Sequence, residues 1–130
     1  MARIAHFSLV ALDCADPLAL ANFYAAITGW EVRDDEPGAD WDWVQLRAPS
    51  GATTMAFQLA PDHVPPVWPS ADHPQQAHID FDVPDLDEGE RAVLALGARK
   101  AEFQPGTTFR VYLDPAGHPF CLVLDRDLVL

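Results

Sequence analysis

Three groups of side chains in this sequence could do chemistry. The first centres on His78, which shares its strand face with Asp80 and Asp82 while Ile79, Phe81 and Val83 alternate with them in the segment from Ala77 to Val83. A strand turns successive side chains to opposite faces, so the imidazole and both carboxylates share one face. Histidine exchanges protons near neutrality, which suits His78 to proton transfer. A strand histidine satisfied by Asp80, Asp82 or water fills the same position without chemistry. The second group is Cys14 and Cys121, which form no C-x-x-C pair. No partner base for a Cys121 nucleophile is legible, and a lone cysteine is commonly a small buried apolar residue. The third group is aromatic. Trp41 and Trp43 fall on one strand face, where they could stack on a planar ligand or pack a core or dimer interface. Trp68 lies in a proline-rich stretch between His63 and His73, which suits a lid or an interface better than a core. The sequence contains no Gly-rich phosphate loop, serine nucleophile motif or paired-cysteine zinc motif.

Composition narrows the partners. The 130 residues are 49% hydrophobic and 22% charged, as expected of one globular domain with a buried core. Twenty acidic residues oppose eight basic ones, a net charge of −12 with no basic stripe to offset it. Nucleic acid and anionic membrane surfaces are therefore excluded as expected partners. Anionic substrates are disfavoured too unless Arg47, Arg99 or Arg110 stands beside the site. Asp34, Asp35, Glu36, Asp40 and Asp42 read as a solvated acidic loop. Residues 1–6 lack the apolar run of a signal peptide, and no segment approaches the ~20 apolar residues of a membrane span. One disulfide between the two cysteines is formally possible, but nothing suggests a disulfide framework, so the simplest compartment is the reducing cytoplasm.

The elements that would position these residues can be read from periodicity and punctuation. Residues 4–12 read as a strand. Asp16 and Pro17 open a helix that closes at Gly29, and Trp30 to Arg33 alternates as a short strand. Residues 41–46 and 53–59 are further strands around a turn at Ala48-Pro49-Ser50-Gly51. Pro61, Pro65, Pro66, Pro69 and Pro74 then exclude a regular element over 61–76. Beyond them the order recurs: a strand to Val83, a helix from Pro84-Asp85 to Gly97, and strands over 98–103, 107–113 and 119–124 about the turn Asp114-Pro115-Ala116-Gly117. The order β-α-β-β-β thus occurs twice, in modules of about 3–60 and about 77–126 joined by a linker at 61–76, within a single domain spanning 1–130. The halves also match in words. Leu12-Asp13-Cys14-Ala15-Asp16 parallels Phe81-Asp82-Val83-Pro84-Asp85, and Phe57-Gln58-Leu59 parallels Phe120-Cys121-Leu122.

This order resembles the vicinal oxygen chelate superfamily, which holds glyoxalase I, bleomycin-resistance proteins and extradiol dioxygenases. The resemblance covers nearly the whole chain. It rests on Leu12 to Pro17 with Phe23-Tyr24 and Gly29-Trp30, on Ala77 to Val83, and on Asp114 to Phe120, which looks like the family's D-P-x-G hairpin. It implies an α+β fold: two βαβββ modules forming a curved mixed sheet around a cavity, with the helices outside. It also implies a homodimer. Metal-dependent members place His or Glu at inward positions on the first and fourth strands of each module, so that several donors hold the ion and leave positions open for substrate oxygens.

Carried over residue by residue, those positions fall on His78 and Cys121 in the second module and on Gln58 in the first. The remaining position is Leu9 if Asp16 is aligned with Asp85, or His6 if Ala5-His6 is aligned with Ala77-His78; alternation does not choose, and the uninterrupted spacing from Asp16 to Phe23-Tyr24 favours Leu9. A metal set would draw on His78, Cys121, Gln58 and His6, but with Leu9 in place it lacks the usual hard donors. The expected function is therefore binding of a small hydrophobic or aromatic molecule in the concavity, with Leu9, Trp41, Trp43, Gln58, His78 and Cys121 as lining residues, no resident cofactor and no assigned catalytic residue. The alternative is a metal-dependent lyase, isomerase or dioxygenase of the glyoxalase type using His78 and a divalent ion.

Overall fold

A computed structural model describes residues 7–33 and 42–130, arranged in two compact units, Met1–His63 and Val64–Leu130. Each unit carries one four-stranded mixed sheet and one helix.

In the first unit Asp16 caps α1 (Pro17–Thr28): its backbone is extended and its Oδ1 accepts the Ala19 N–H at 3.1 Å. Pro17 takes the first helical position, where a missing N–H costs nothing. Leu20, Ala21, Phe23 and Tyr24 form the buried stripe of the helix. They meet a sheet of β1 (Val10–Cys14), β2 (Glu31–Arg33), β3 (Trp43–Arg47) and β4 (Thr53–Leu59), ordered β1-β4-β3-β2. β1 runs parallel to β4, and the other neighbours are antiparallel. Val44, Leu46, Met55 and Phe57 are buried, and the Tyr24 ring stacks on Phe57 with centroids 5.6 Å apart. Burying each such large side chain stabilises by roughly 1.5–3 kcal/mol.

The second unit repeats the plan with β5 (Ile79–Val83), α2 (Leu86–Ala95), β6 (Arg99–Lys100), β7 (Phe109–Leu113) and β8 (Pro119–Leu124), ordered β5-β8-β7-β6. Asp85 caps α2 by accepting the Glu88 N–H at 3.0 Å. Phe81, Phe120 and Tyr112 form an aromatic row on the helix side. The helix comes closest at Gly89, where a Cβ would stand 3.0 Å from Leu122 Cδ1 and 3.4 Å from Val83 Cγ1. A larger side chain there has to displace the Leu122 and Val83 side chains or push α2 off the sheet. Gly89→Leu is expected to destabilise the protein by about 1–3 kcal/mol, read as a lower urea midpoint with an unchanged m-value.

Arg110 is committed to α2. Its guanidinium donates to Asp87 Oδ1 at 2.9 Å and lies 3.5 Å from Glu90 Oε2, while Lys100 Nζ lies 2.8 Å from Glu90 Oε1. The Tyr112 hydroxyl donates to the same carboxylate at 3.1 Å. Lys100 holds the Glu90 carboxyl below its usual range, and burial raises the Tyr112 phenol. Arg110 is thus spoken for on the helix side of its sheet.

Several boundaries differ from the periodicity. The first strand begins at Val10, and residues 1–6, with His6, lie outside the described residues. Trp30 is not in β2, because its N–H is taken by Thr28 Oγ1 at 3.1 Å. β3 begins at Trp43; Trp41 and most of the acidic loop lie outside the described residues. β6 holds only Arg99 and Lys100 where a strand to Phe103 was expected. The Gln104 side chain explains the early stop. Its Nε2 donates to the carbonyls of Ala101 and Val111, both at 2.8 Å, and its Oε1 accepts the Val111 N–H at 2.9 Å. The Val111 carbonyl still accepts the Ala101 N–H at 3.1 Å, but the amide side chain takes the Val111 N–H that further β6 backbone would have bonded.

Candidate functional site

The hydrogen-bond ladders fix how the two modules correspond. The turn at Ala48 is bonded as the turn at Asp114 is: Ala48 N–H to Ala52 O and Gly51 N–H to Ala48 O, against Asp114 N–H to His118 O and Gly117 N–H to Asp114 O. At the far end Leu59 N–H reaches Asp42 O and Ala60 N–H reaches Cys14 O, while Leu124 N–H reaches Thr108 O and Asp125 N–H reaches Val83 O. Cys14 therefore matches Val83, and Leu9, just before β1, matches His78, just before β5.

The same bonds correct the word match on the last strand of each module. Leu59 matches Leu124, so Gln58 matches Val123 and Ala56 matches Cys121. Gln58 stands seven positions after Gly51 while Cys121 stands four after Gly117, and an irregularity in β4 makes up only one residue of that difference. Leu46 pairs with Met55 but Arg47 pairs with Thr53, so Thr54 is an extra residue that β8 does not have. Gln58 is thus displaced by two residues from the position equivalent to Cys121, and a fully buried alanine stands there instead.

In the first unit Gln58 is paired directly with Trp43 across β4 and β3, and partners in a ladder share a face. Both are exposed, Trp43 at 37%. Gln45 pairs with Ala56 on the same face, and Leu9, just before β1, is half-buried.

In the second unit the structure brings His78 and Cys121 together and adds Asp80. Asp80 on β5 is the ladder partner of Cys121 on β8, and His78 precedes Asp80 by two residues on the same face. His78 Nε2 lies 3.4 Å from Asp80 Oδ1, and ligand atoms of all three residues lie within 4.8 Å of one another. Among the described residues this is the one group of His, Cys, Asp and Glu side chains close enough to share an ion. Sequence reasoning placed Asp80 on the right face but gave it no site role. The i, i+2 spacing was legible, whereas its pairing with Cys121 across strands was not. Burial, then the Asp80 charge and its hydrogen bond, push the Cys121 thiol up to about 11. At neutral pH Cys121 is therefore a protonated thiol and a poor nucleophile.

Cys121 also belongs to an apolar patch. With Ala101 and Val111 it forms a buried cluster, against which Trp68, Phe109 and Val123 pack. Trp68 reaches it from the proline-rich segment and has Phe103 beside it, ring centroids 5.6 Å apart. The segment is seated on the hairpin by Gly117. This residue has φ +90°, and a Cβ there would meet Pro65 Cβ at 2.6 Å, so only glycine admits the contact. The half-buried Trp68 and exposed Phe103 thus present an aromatic surface beside a cluster that shares Cys121 with the His–Asp–Cys group.

Comparison with known proteins gives this arrangement relatives. The family model described as a glyoxalase-like domain matches residues 9–123. Among curated proteins none matches the sequence. One similar solved structure is a mutant of the fosfomycin resistance protein FosX from Listeria monocytogenes, complexed with Mn(II) and dihydroxypropylphosphonic acid. It has 17% identity and a TM-score of 0.67, over 94% of this chain and 93% of that one. A second is TnmS3, an antibiotic binding protein from Streptomyces sp. CB03234, at 22% identity and a TM-score of 0.55 over 95% and 98% of the two chains. A third is a glyoxalase/bleomycin resistance protein/dioxygenase family enzyme from Burkholderia phytofirmans PsJN, at 18% identity and a TM-score of 0.64 over 88% and 94%. Identities this low carry the fold and not the activity. The paired βαβββ modules and the family match agree, and the chain belongs to the glyoxalase-like domain family of the vicinal oxygen chelate superfamily.

Proposed function

We propose that this protein binds a small hydrophobic or aromatic molecule on the sheet face opposite the helices, without the metal site that draws on both modules. One observation carries the reading. The two first-module positions that correspond to His78 and Cys121 hold Leu9 and Ala56, and neither side chain has a donor atom. A two-module ion site therefore does not fit these residues. What each unit's own open face offers is aromatic: Trp68, Phe103 and Phe109 in the second unit and, separately, Trp43 beside Gln58 in the first. Planar ligands gain both burial and ring contacts on such a surface. The fold similarity to an antibiotic binding protein supports the reading at the level of precedent. We also expect a cytoplasmic homodimer, which sedimentation of the purified chain tests. Among the described residues no helix is long and apolar enough to cross a membrane.

A second reading is an enzyme of the lyase, isomerase or dioxygenase type, with His78 moving a proton and a divalent ion bound nearby. The close grouping of His78, Asp80 and Cys121 favours it. Tryptophan quenching by a planar nitroaromatic separates the two. The binding reading expects saturable quenching in chelator-treated protein, weakened several-fold by Trp68→Ala. Quenching that appears only after a divalent ion is added, and is lost in His78→Ala, sinks it in favour of the second.

A further inference from the structure

We infer that the open face of the first unit holds a site for the carboxylate of a planar aromatic acid, with Arg33 and Arg47 as the clamp and Trp43 as the ring platform. The inference rests on the binding reading and adds the ligand's charge to it. Its residues lie wholly in the first unit.

Ladder register brings these side chains to one face. Trp43, Gln45 and Arg47 alternate along β3 with the buried Val44 and Leu46, so they point away from α1. On β2, Arg33 is the partner of Gln45 and Glu31 the partner of Arg47. Arg33 is therefore the diagonal neighbour of Arg47 on one side and of Trp43 on the other, at about 7–8 Å each. Two long guanidiniums at that spacing can close on one carboxylate, and a flat ring lying on Trp43 brings its carboxylate to Arg33. The fully buried Ala56 is the β4 partner of Gln45, so the face is low beside the clamp. The β4 irregularity adds a hydroxyl. Thr53 and Thr54 both oppose Arg47, and Thr54 Oγ1 is buried with no hydrogen-bond partner among the described residues. A carboxylate oxygen held by Arg47 is an acceptor for that hydroxyl.

The charges around the clamp favour one class of anion. Glu31 is its competitor: the carboxylate lies 3.8 Å from the Arg33 guanidinium, but the side chain is 70% exposed, so the pair is loose and screened. Asp13, the β1 partner of Gln58, lies two strands away from Trp43 and three from Arg33. The net charge of −12 repels anions from the surface at large, so a local pair of arginines is the condition for holding one. Arg110 does not meet that condition, being bound to Asp87 and Glu90 on the helix side of its sheet, whereas Arg47 stands on an open face.

Calorimetric titration with 2-naphthoate and its neutral isostere 2-naphthamide tests this. Wild-type protein should bind naphthoate at least about tenfold more tightly than naphthamide, and the preference should shrink at high salt. Arg47→Gln and Arg33→Gln should each bring the two affinities close together, with circular dichroism confirming the fold. Glu31→Gln removes the competing carboxylate and should widen the preference. Arg99→Gln, in the second unit, should leave it unchanged. Equal affinities in the wild type, a preference that survives Arg47→Gln, or one that vanishes in Arg99→Gln overturns this site, while binding of naphthamide keeps the binding reading standing. Failure of both compounds to bind overturns the two together.

Discussion

Cys121 in ion-free protein should react with iodoacetamide at pH 8 about 100-fold more slowly than an ordinary accessible thiol. The factor follows from its acidity: a thiol raised from 9.0 to about 11 holds roughly one hundredth of the thiolate at any pH below 9. Its 8% exposure slows the reaction further. In a Cys14→Ser background, the rate should climb about tenfold per pH unit and level off only near pH 11. Burial is the first cause, and the Asp80 charge and hydrogen bond come next, so Asp80→Asn should accelerate the reaction at pH 8. The sign for stability is the same. Folding favours the neutral thiol, so this contribution is complete below pH 9 and is lost as pH rises toward 11. A fast reaction with a plateau below pH 9 would contradict the account and restore Cys121 as a candidate nucleophile.

Asp114→Ala should cost about 2–4 kcal/mol of stability. Asp114 is 1% exposed, and its Oδ1 accepts the N–H groups of Ala116 at 2.8 Å and His118 at 2.9 Å. Truncation leaves two backbone donors without that acceptor inside a tight turn, and each such loss costs about 1–3 kcal/mol. Asp114→Asn keeps one acceptor oxygen and should lose clearly less. The urea midpoint reads both. The hairpin also seats Pro65 against Gly117 and starts β8, so Asp114→Ala should weaken nitroaromatic binding even where the protein remains folded. A loss under about 1 kcal/mol would show that the carboxylate is not what holds this turn.

Most of the fold was legible because its signals are local. Asp16 caps α1 with Pro17 at its first position as read, α2 starts just past Pro84-Asp85 as read, and the alternation of Ile79 to Val83 placed His78 and Asp80 on one face. The site was less legible because it depends on pairing between strands. Aromatic identity made Phe57 look like Phe120, yet six residues separate Gly51 from Phe57 and only three separate Gly117 from Phe120. The extra Thr54 absorbs one residue, and the remaining difference moves Gln58 past the site and leaves Ala56 in it. Asp80 went unassigned for the same reason, since its neighbour Cys121 is distant in sequence. Trp68 was legible as an oddity, an indole in a proline-rich stretch, but its seat on Ala101, Val111 and Cys121 needs the folded segment. Gln104, which ends β6 early, acts through side-chain hydrogen bonds that no periodicity reveals.

The central claim is that the second unit's open face takes a small planar molecule without an ion shared between modules. Amide chemical shifts of chelator-treated protein, titrated with a panel of planar aromatic fragments, test it most directly. Saturable shifts centred on Trp68, Ala101, Phe103, Val111 and Cys121 are the predicted result. Shifts that are absent from these residues until a divalent ion is added, or that fall only on other parts of the chain, would contradict it.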